Sequence, residues 1–492
     1  MNLISKLFLS FLIGLTLAFG FNILFLGLFN RPFIDQALLL FFSTAAFGYL
    51  FFSFLESREE VFQFFRSVKF SFDREAVLSF LHEHTAGLLL ALLFFIIYTY
   101  IGLKLNIPHK DTTDNFLDAD NSSWMTRIAE PNGSSMEMRG PHPFAYFIFR
   151  PLGFILNFFT QDPNLSAILL NTFAGGLCVF LAWIFVKRQT ESRIYALLIA
   201  SLLGLSTAHV FLGSVIETYI FSAASLIGFF VILQMQKESM TSLVAVSLLT
   251  FGITITNFVQ DFVGFVISRP RIKDVVRFAG LTISFGVTLT LMHAAWFPSS
   301  KLFFLPSNAR AEEQFTTSLF HEPSWKVIGR VLLLIRTILL YTAIAPQPYV
   351  FTKEVGGTFP RFNFFKIVPG TFSYSSYNGL GTILVFIWAL LLLVSSTFFL
   401  LNLIRTRKVN VTVAFVLCIL FNFVLHLNYG YEPFLYSPDW AYALIFFVAL
   451  SLVPLASNRI FLGGLFIFLI LLAYNQFQFF HFIFQTIAPF LS

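Results

Sequence analysis

The chain has 492 residues, of which 57% are hydrophobic, 11% charged and 70 are Phe, and its 31 Lys and Arg outweigh 25 Asp and Glu. An average soluble domain is about 25% charged, so a soluble globular class is excluded. The positive balance of +6 reports loop orientation and contact with anionic lipid. No soluble face interleaves basic and aromatic residues, which excludes a nucleic-acid partner.

Several apolar runs approach or exceed the ~20 residues that cross a bilayer. Spanning segments satisfy their backbone internally, and a barrel would show short alternating segments instead. The fold class expected is therefore all-α, a polytopic transmembrane bundle of about 11–13 spans with outward-facing interfacial helices. In chain order the predicted helices are 7–29, 33–55, 84–105, 165–186, 193–211, 216–234, 240–256, 257–268, 276–296, 381–403, 411–428, 439–455 and 459–475. The first run, after Lys6, is too long for a signal peptide and lacks a small-residue cleavage site, so it is taken as a span. The 257–268 piece is too short to cross alone and pairs with 240–256 as a half-helix. Cys178 and Cys418 lie inside apolar runs and are expected as buried thiols without a disulfide.

Four short connections are basic: Arg58, Arg66, Lys69 and Arg74; Lys187, Arg188 and Arg193; Arg269, Arg271, Lys273 and Arg277; Arg405, Arg407 and Lys408. All fall on one side with Lys6, the cytoplasmic side by the positive-inside rule; Arg31 is the short-loop exception. The long loops 106–164 and 297–380 then face outward. Two apolar segments, 143–159 and 327–345, would invert this topology if they spanned. Each carries Arg within its apolar face, and both are expected as interfacial or re-entrant helices. The organisation is thus a two-helix segment with its cytoplasmic loop (1–82), a core with the first outer loop (83–296), a second outer loop (297–380) and closing helices (381–492).

The chemistry concentrates in LDADNSSWMTRIA and GPHPFAYFIFRPLG. Asp118 and Asp120 would diverge on a helix but can converge from a turn. Asn121, Ser122 and Ser123 favour a turn or N-cap, so one reading makes either Asp a helix cap. The other makes it a general base or a divalent-metal ligand through hard oxygens. His142, between two prolines, is either a solvated helix-start residue or a phosphate or metal contact. Glu217 stands at the outer mouth of an apolar helix, as a dipole partner or a site residue. Asn257, Gln260 and Asp261 mark a break between apolar pieces, where polar residues usually line a cavity. Glu432 and Asp439 sit among Tyr and Trp and are assigned to an interfacial belt. A lipid phosphate would need a basic partner, and the second outer loop offers Lys301, Arg310, Lys326, Arg330, Arg336, Lys353, Arg361 and Lys366.

The order of these features resembles the C-class glycosyltransferases, in particular the bacterial protein O-mannosyltransferase-like and lipid A aminoarabinose transferase-like proteins. LDADNSSWMTRIA looks like their acidic outer-loop motif, GPHPFAYFIFRPLG like their His-Pro element, SVIETYIFSAASLIGFFVI like a later segment with a second acid, and FGITITNFVQDFVGFVI like their short paired helices. The likeness covers about residues 84–296. It departs in two extra amino-terminal helices, in Trp124 where Tyr is usual, and in Pro141-His142-Pro143 where a Pro-Pro pair is usual. The resemblance implies an inverting transfer of a sugar from a polyprenyl-phosphate-linked donor to an acceptor glycan, lipid or protein. The place implied is the outer face of a membrane, as at a bacterial inner membrane. It implies Asp120 or Asp118 as base, His142, Glu217, Trp124, Asn257 and Asp261 as substrate-binding residues, and Asp118, Asp120 and Glu217 as ligands where a divalent metal is used. The sequence also admits a lipid-linked glycan polymerase or ligase, or a polytopic transporter.

Overall fold

The computed structural model describes residues 2–67, 74–235, 239–316, 321–352, 359–407 and 410–491. Lys69, Lys353 and Lys408 lie outside them. The chain is an all-α polytopic membrane protein. It begins with α1 (Leu3–Leu26), α2 (Phe33–Ser67), α3 (Arg74–Leu105) and the short α4 (Asn121–Ala129). It continues through α5 (Ala145–Thr160), α6 (Pro163–Thr190), α7 (Arg193–Leu205), α8 (Thr207–Leu212), α9 (Tyr219–Leu233), α10 (Met240–Ile253), α11 (Phe258–Ser268) and α12 (Ile272–Trp296). After α13 (Pro306–Ala309) and α14 (Ser324–Arg336) come two antiparallel hairpins, β1 (Tyr349–Phe351) with β2 (Arg361–Asn363) and β3 (Phe365–Val368) with β4 (Thr371–Tyr374). The closing helices are α15 (Leu380–Thr406), α16 (Val411–Asn428), α17 (Pro438–Ser451) and α18 (Arg459–Ile487).

Among the described residues, eight of the thirteen expected helices are long and apolar enough to cross a membrane on their own, from Leu3–Leu26 to Arg459–Phe490. The other five, α7, α9, α10, α11 and α17, have 13, 15, 14, 11 and 14 residues. At 1.5 Å per residue each falls short of the ~30 Å hydrocarbon core. Two of them, α9 and α17, are almost wholly enclosed by neighbours, so protein rather than lipid sets their length. The expected 193–211 helix breaks at Ser206, whose hydroxyl accepts from the His209 backbone to start α8. Segments 143–159 and 327–345 do form helices, α5 and α14, the latter continuing as a π turn over Thr337–Tyr341.

α6 runs through the core against α3, α5, α7 and α9. Asp162 caps its start by accepting from the Asn164 and Leu165 backbones, with Pro163 in the first position, where a missing N–H costs nothing. Apolar area alone does not drive helices together in lipid, so close packing must. Phe185 of α6 accordingly stacks on Phe446 of α17 with centroids 4.3 Å apart. At the α1–α2 crossing a Cβ on Gly14 would stand 2.7 Å from the Gly48 nitrogen, so only a small residue permits that approach. The α1–α2 pair packs on α12 and on Leu302 and Leu305, and Asp35 of α2 accepts from the Ser307 hydroxyl.

The two ends of the bundle differ. One collects the basic connections, tied by Lys6 to Glu56 and Lys187 to Glu83. The other collects the segments around 105–121, 136–145, 213–219, 254–257, 297–316, 359–378 and 426–439, joined by the contacts described next.

Candidate active site

Residues 105–121 cross the loop-rich end as a built turn. Asn106 donates to the Ser214 carbonyl at 2.8 Å and accepts from the Ile216 backbone at 3.1 Å, fixing this loop to the one before α9. Asn121 donates to Thr112 at 2.9 Å. The turn then joins β2: Leu117 donates to the Phe362 carbonyl at 3.0 Å, Phe362 donates to that of Asn115 at 2.8 Å, and Phe116 stacks on Phe362. Asp114, Leu117 and Asp118 have φ of 63°, 55° and 66°, a left-handed conformation that costs a residue with a Cβ about 1–2 kcal/mol. The cross-loop bonds hold them there.

This geometry separates the two aspartates. Asp118 pairs with Arg361 at 2.8 Å. Burial, then the Asp114 charge, pushes its carboxyl up to about 6 against the pull of Arg361. Asp120 occupies the N-cap position of α4, yet its side chain makes no capping bond. Among the described residues its carboxylate has no hydrogen-bond partner. Its backbone N–H donates to Glu217 Oε1 at 2.7 Å, and Glu217 Oε2 accepts from the Thr218 backbone at 2.9 Å. Burial raises both carboxyls; the Asp114 charge adds to this at Asp120, and the Asp120 charge adds to it at Glu217. Glu217 is the buried partner and Asp120 the half-buried one. A charge costs less where water reaches it, so the pair carries its negative charge on Asp120.

Beside this pair lies a cavity of about 260 Å³, lined by Arg139, His142, Tyr219, Glu312, Tyr429 and Asp439 among others. His142 donates from Nδ1 to the Ile253 carbonyl at 2.6 Å, since a carbonyl can only accept. Burial lowers its imidazole to about 4. The ring is neutral at physiological pH and presents Nε2 as an acceptor. Trp124 of α4 meets the His142 ring edge-on at 5.4 Å, which links the Asp120 turn to the cavity wall. Arg139 lies 3.9 Å from the Phe315 ring centroid, donates to the Tyr429 hydroxyl at 3.0 Å and pairs with Glu312. Gly430 takes φ +82° under the Tyr436 ring, where a Cβ would come within 2.4 Å.

The expected residues thus sort unevenly. Asp120, Glu217, Trp124 and His142 come together across more than one loop, and of these His142 lines the cavity while the other three stand outside its wall. Asp118 is spent on Arg361. Asn257 and Asp261 do not line the cavity: Asn257 bonds Ser222 at 2.6 Å one layer behind it, and Asp261 is fully buried. Asp439, assigned from sequence to an interfacial belt, lines the cavity instead, and Glu432 is buried and caps the turn at Phe434. Among the candidate phosphate partners, Arg330 gives its donors to the carbonyls of His426, Tyr429, Gly430 and Tyr431. Lys301 and Lys326 pair with Glu137 and Glu322. The cation in the cavity wall, Arg139, was missed; its signal was its place two residues before Pro141 in the His-Pro element.

The donor set does not fit a divalent metal as arranged. Asp118 is committed to Arg361, both Glu217 oxygens accept backbone N–H groups, and among the described residues no three His, Cys, Asp or Glu side chains gather at ligand spacing. Cys178 and Cys418 are free and buried.

No protein-family model matches the chain, and no curated protein matches it. Among solved structures it is similar to the archaeal oligosaccharyltransferase AglB from Archaeoglobus fulgidus, in complex with an inhibitory peptide and a dolichol-phosphate. The two are 14% identical with a TM-score of 0.39, over 80% of this chain and 55% of that one. The chain therefore spans about half the length of that protein.

Proposed function

We propose that this protein is a membrane glycosyltransferase that moves a sugar from a polyprenyl-phosphate-linked donor to an acceptor hydroxyl, with Asp120 as the base. The observation that carries it is the Asp120 carboxylate: half-buried, without a hydrogen-bond partner among the described residues, held by its backbone on Glu217 near a largely apolar cavity that carries Arg139, His142 and Asp439 in its wall. A carboxylate is costly at a membrane edge, and this one performs neither the capping nor the ion-pairing role that would account for it structurally.

In the reaction, Asp120 takes the acceptor's proton as its oxygen attacks the anomeric carbon. The bond from that carbon to the phosphate oxygen breaks, and the lipid phosphate leaves with the electron pair. Attack opposite the leaving group inverts the anomeric centre. Arg139 supplies positive charge in the cavity wall, and neutral His142 accepts a sugar hydroxyl at Nε2. The basic end faces the cytoplasm by the positive-inside rule and the cavity faces outward, in keeping with a bacterial inner membrane. No metal enters these steps.

The test is transfer by the purified chain from a polyprenyl-phosphate sugar, with Asp120→Asn beside the parent. Loss of transfer at unchanged thermal stability supports the assignment. Full activity in Asp120→Asn removes it.

A further inference from the structure

Behind the cavity, α10 and α11 form a hairpin against α9. α10 carries Ser247 and Thr250 one turn apart, and α11 carries Asp261 in its first turn. Asp261 and Ser247 are both 0% exposed. The Ser247 and Thr250 hydroxyls stand beside the Asp261 carboxyl. These two hydroxyls are within reach of the carboxyl but make no hydrogen bond of good geometry to it, and neither Asp261 oxygen has another partner among the described residues. No Lys, Arg or His among them acts on this carboxyl; its titratable neighbours are Cys418 and Tyr442.

A polar file runs from the cavity toward this group. Asp439 in the cavity wall stands beside Asn257 and Ser222. Asn257 accepts from Gln260 at 2.9 Å, and Gln260 accepts from the Tyr442 hydroxyl at 2.9 Å. Across the same helices, Thr250 donates to Ser225 at 3.0 Å.

A buried carboxyl with only two hydroxyls beside it must hold either a proton or a cation. The first turn of α11 favours negative charge, because the helix dipole is positive there. The surrounding donors are hard oxygens carrying one negative charge in total. A divalent ion usually draws more than one carboxylate, whereas a single charge matches a monovalent ion. We propose that Asp261, Ser247 and Thr250 hold a desolvated Na⁺ between α9, α10 and α11. The ion ties together the hairpin whose turn supplies Thr254, Ile255 and Thr256 to the cavity wall. This does not depend on the transferase assignment, since binding is read without turnover.

The experiment follows thermal unfolding of the purified full chain in NaCl, KCl and choline chloride at equal ionic strength, together with equilibrium binding of radioactive sodium. Near saturation Na⁺ should raise Tm by about 2–5 °C over choline, with one sodium bound per chain. Asp261→Asn should abolish the sodium-specific shift and Ser247→Ala should reduce it. If Asp261→Asn fails to fold, Ser247→Ala and direct binding to the parent chain decide. Equal Tm in all three salts without saturable sodium binding overturns the proposal and leaves a proton on Asp261.

Discussion

The two ends of the bundle handle charge in opposite ways. At the basic end, cations stand on short connections and their partners are exposed: the Glu83 side chain paired with Lys187 is 58% accessible and the Glu56 partner of Lys6 is 48%. At the cavity end, acids and cations come from segments 97 to 243 residues apart, and their acids are the enclosed members: Asp120 rests on the buried Glu217, while the Asp118 partner of Arg361 and the Glu312 partner of Arg139 are each 20% accessible. Exposed pairs contribute little, because water and salt screen them. Buried ones impose desolvation and demand fixed geometry. The cavity end is therefore where charge can do chemistry.

The sharpest way to break this comparison is at the two aspartates. Asp120→Asn should reduce transfer by about 10²–10⁴-fold, the usual contribution of a positioned base, with little change in Tm because its side chain makes no structural bond. Asp118→Asn should act differently: it frees Arg361 from the turn, lowering Tm as well as activity. Transfer assays and thermal unfolding on both variants separate the roles. Equal losses of activity and stability in the two would erase the distinction between base and anchor.

Arg330 tests the structural side of the same end. It is buried, and its guanidinium caps the carbonyls that follow α16. Charge-assisted hydrogen bonds of this kind contribute about 1.5–3 kcal/mol each, and orphaned carbonyls add a penalty. Arg330→Met should lose about 3 kcal/mol or more of stability, measured as a lowered midpoint of thermal or denaturant unfolding. A variant that unfolds like the parent would show the carbonyl cap to be idle.

The contrast also explains what was legible in the sequence. Basic short loops such as Arg269 to Arg277 are local, so their gathering at one end of the bundle could be read without any tertiary knowledge. The acidic motif was equally local: Asp120, Trp124 and His142 stand in two consecutive motifs, and α4 and α5 link them. Asp118 and Asp120 could not be told apart, because the distinction comes from Arg361, 243 positions away. Asp439 and Asp261 were exchanged for a similar reason. A helix-break signal shows that polar groups are enclosed, but which of them faces a cavity depends on how α9, α11 and α17 pack. The strands after residue 348 were missed because their residues were taken only as an outer loop. Val, Ile, Phe and Tyr on either side of Pro369-Gly370 were the hairpin signal.

A weaker effect should appear in pH. Burial, reinforced by the Asp120 charge, raises Glu217 from 4.5 to about 8. For an acid raised in the folded state, the folded chain binds more protons than the unfolded one between those values, so stability falls as pH rises. The contribution is complete below about pH 4.5 and is lost through about pH 8. Glu432, raised over the same range, acts in the same direction. Glu217→Gln cannot ionise and should show a shallower decline in Tm from pH 5 to 8 than the parent. An unchanged slope would mean that Glu217 is charged in the fold.

The smallest effect belongs to the basic end. Lys187 donates to Glu83 at 2.9 Å and lies near the Trp183 ring, but the acid is mostly in solvent. Lys187→Ala should change stability by less than about 1 kcal/mol and leave transfer unaltered. High salt should shrink even that difference, since the Debye length is about 3 Å at 1 M. Unfolding at low and high ionic strength measures the stability change, and the transfer assay measures the rest. A large loss of transfer in Lys187→Ala, with the fold intact, would show that the two ends are coupled through α6, whose opposite end binds the loop before Glu217 through Asn171. Retained transfer keeps α6 as a passive spacer, with chemistry confined to the cavity end.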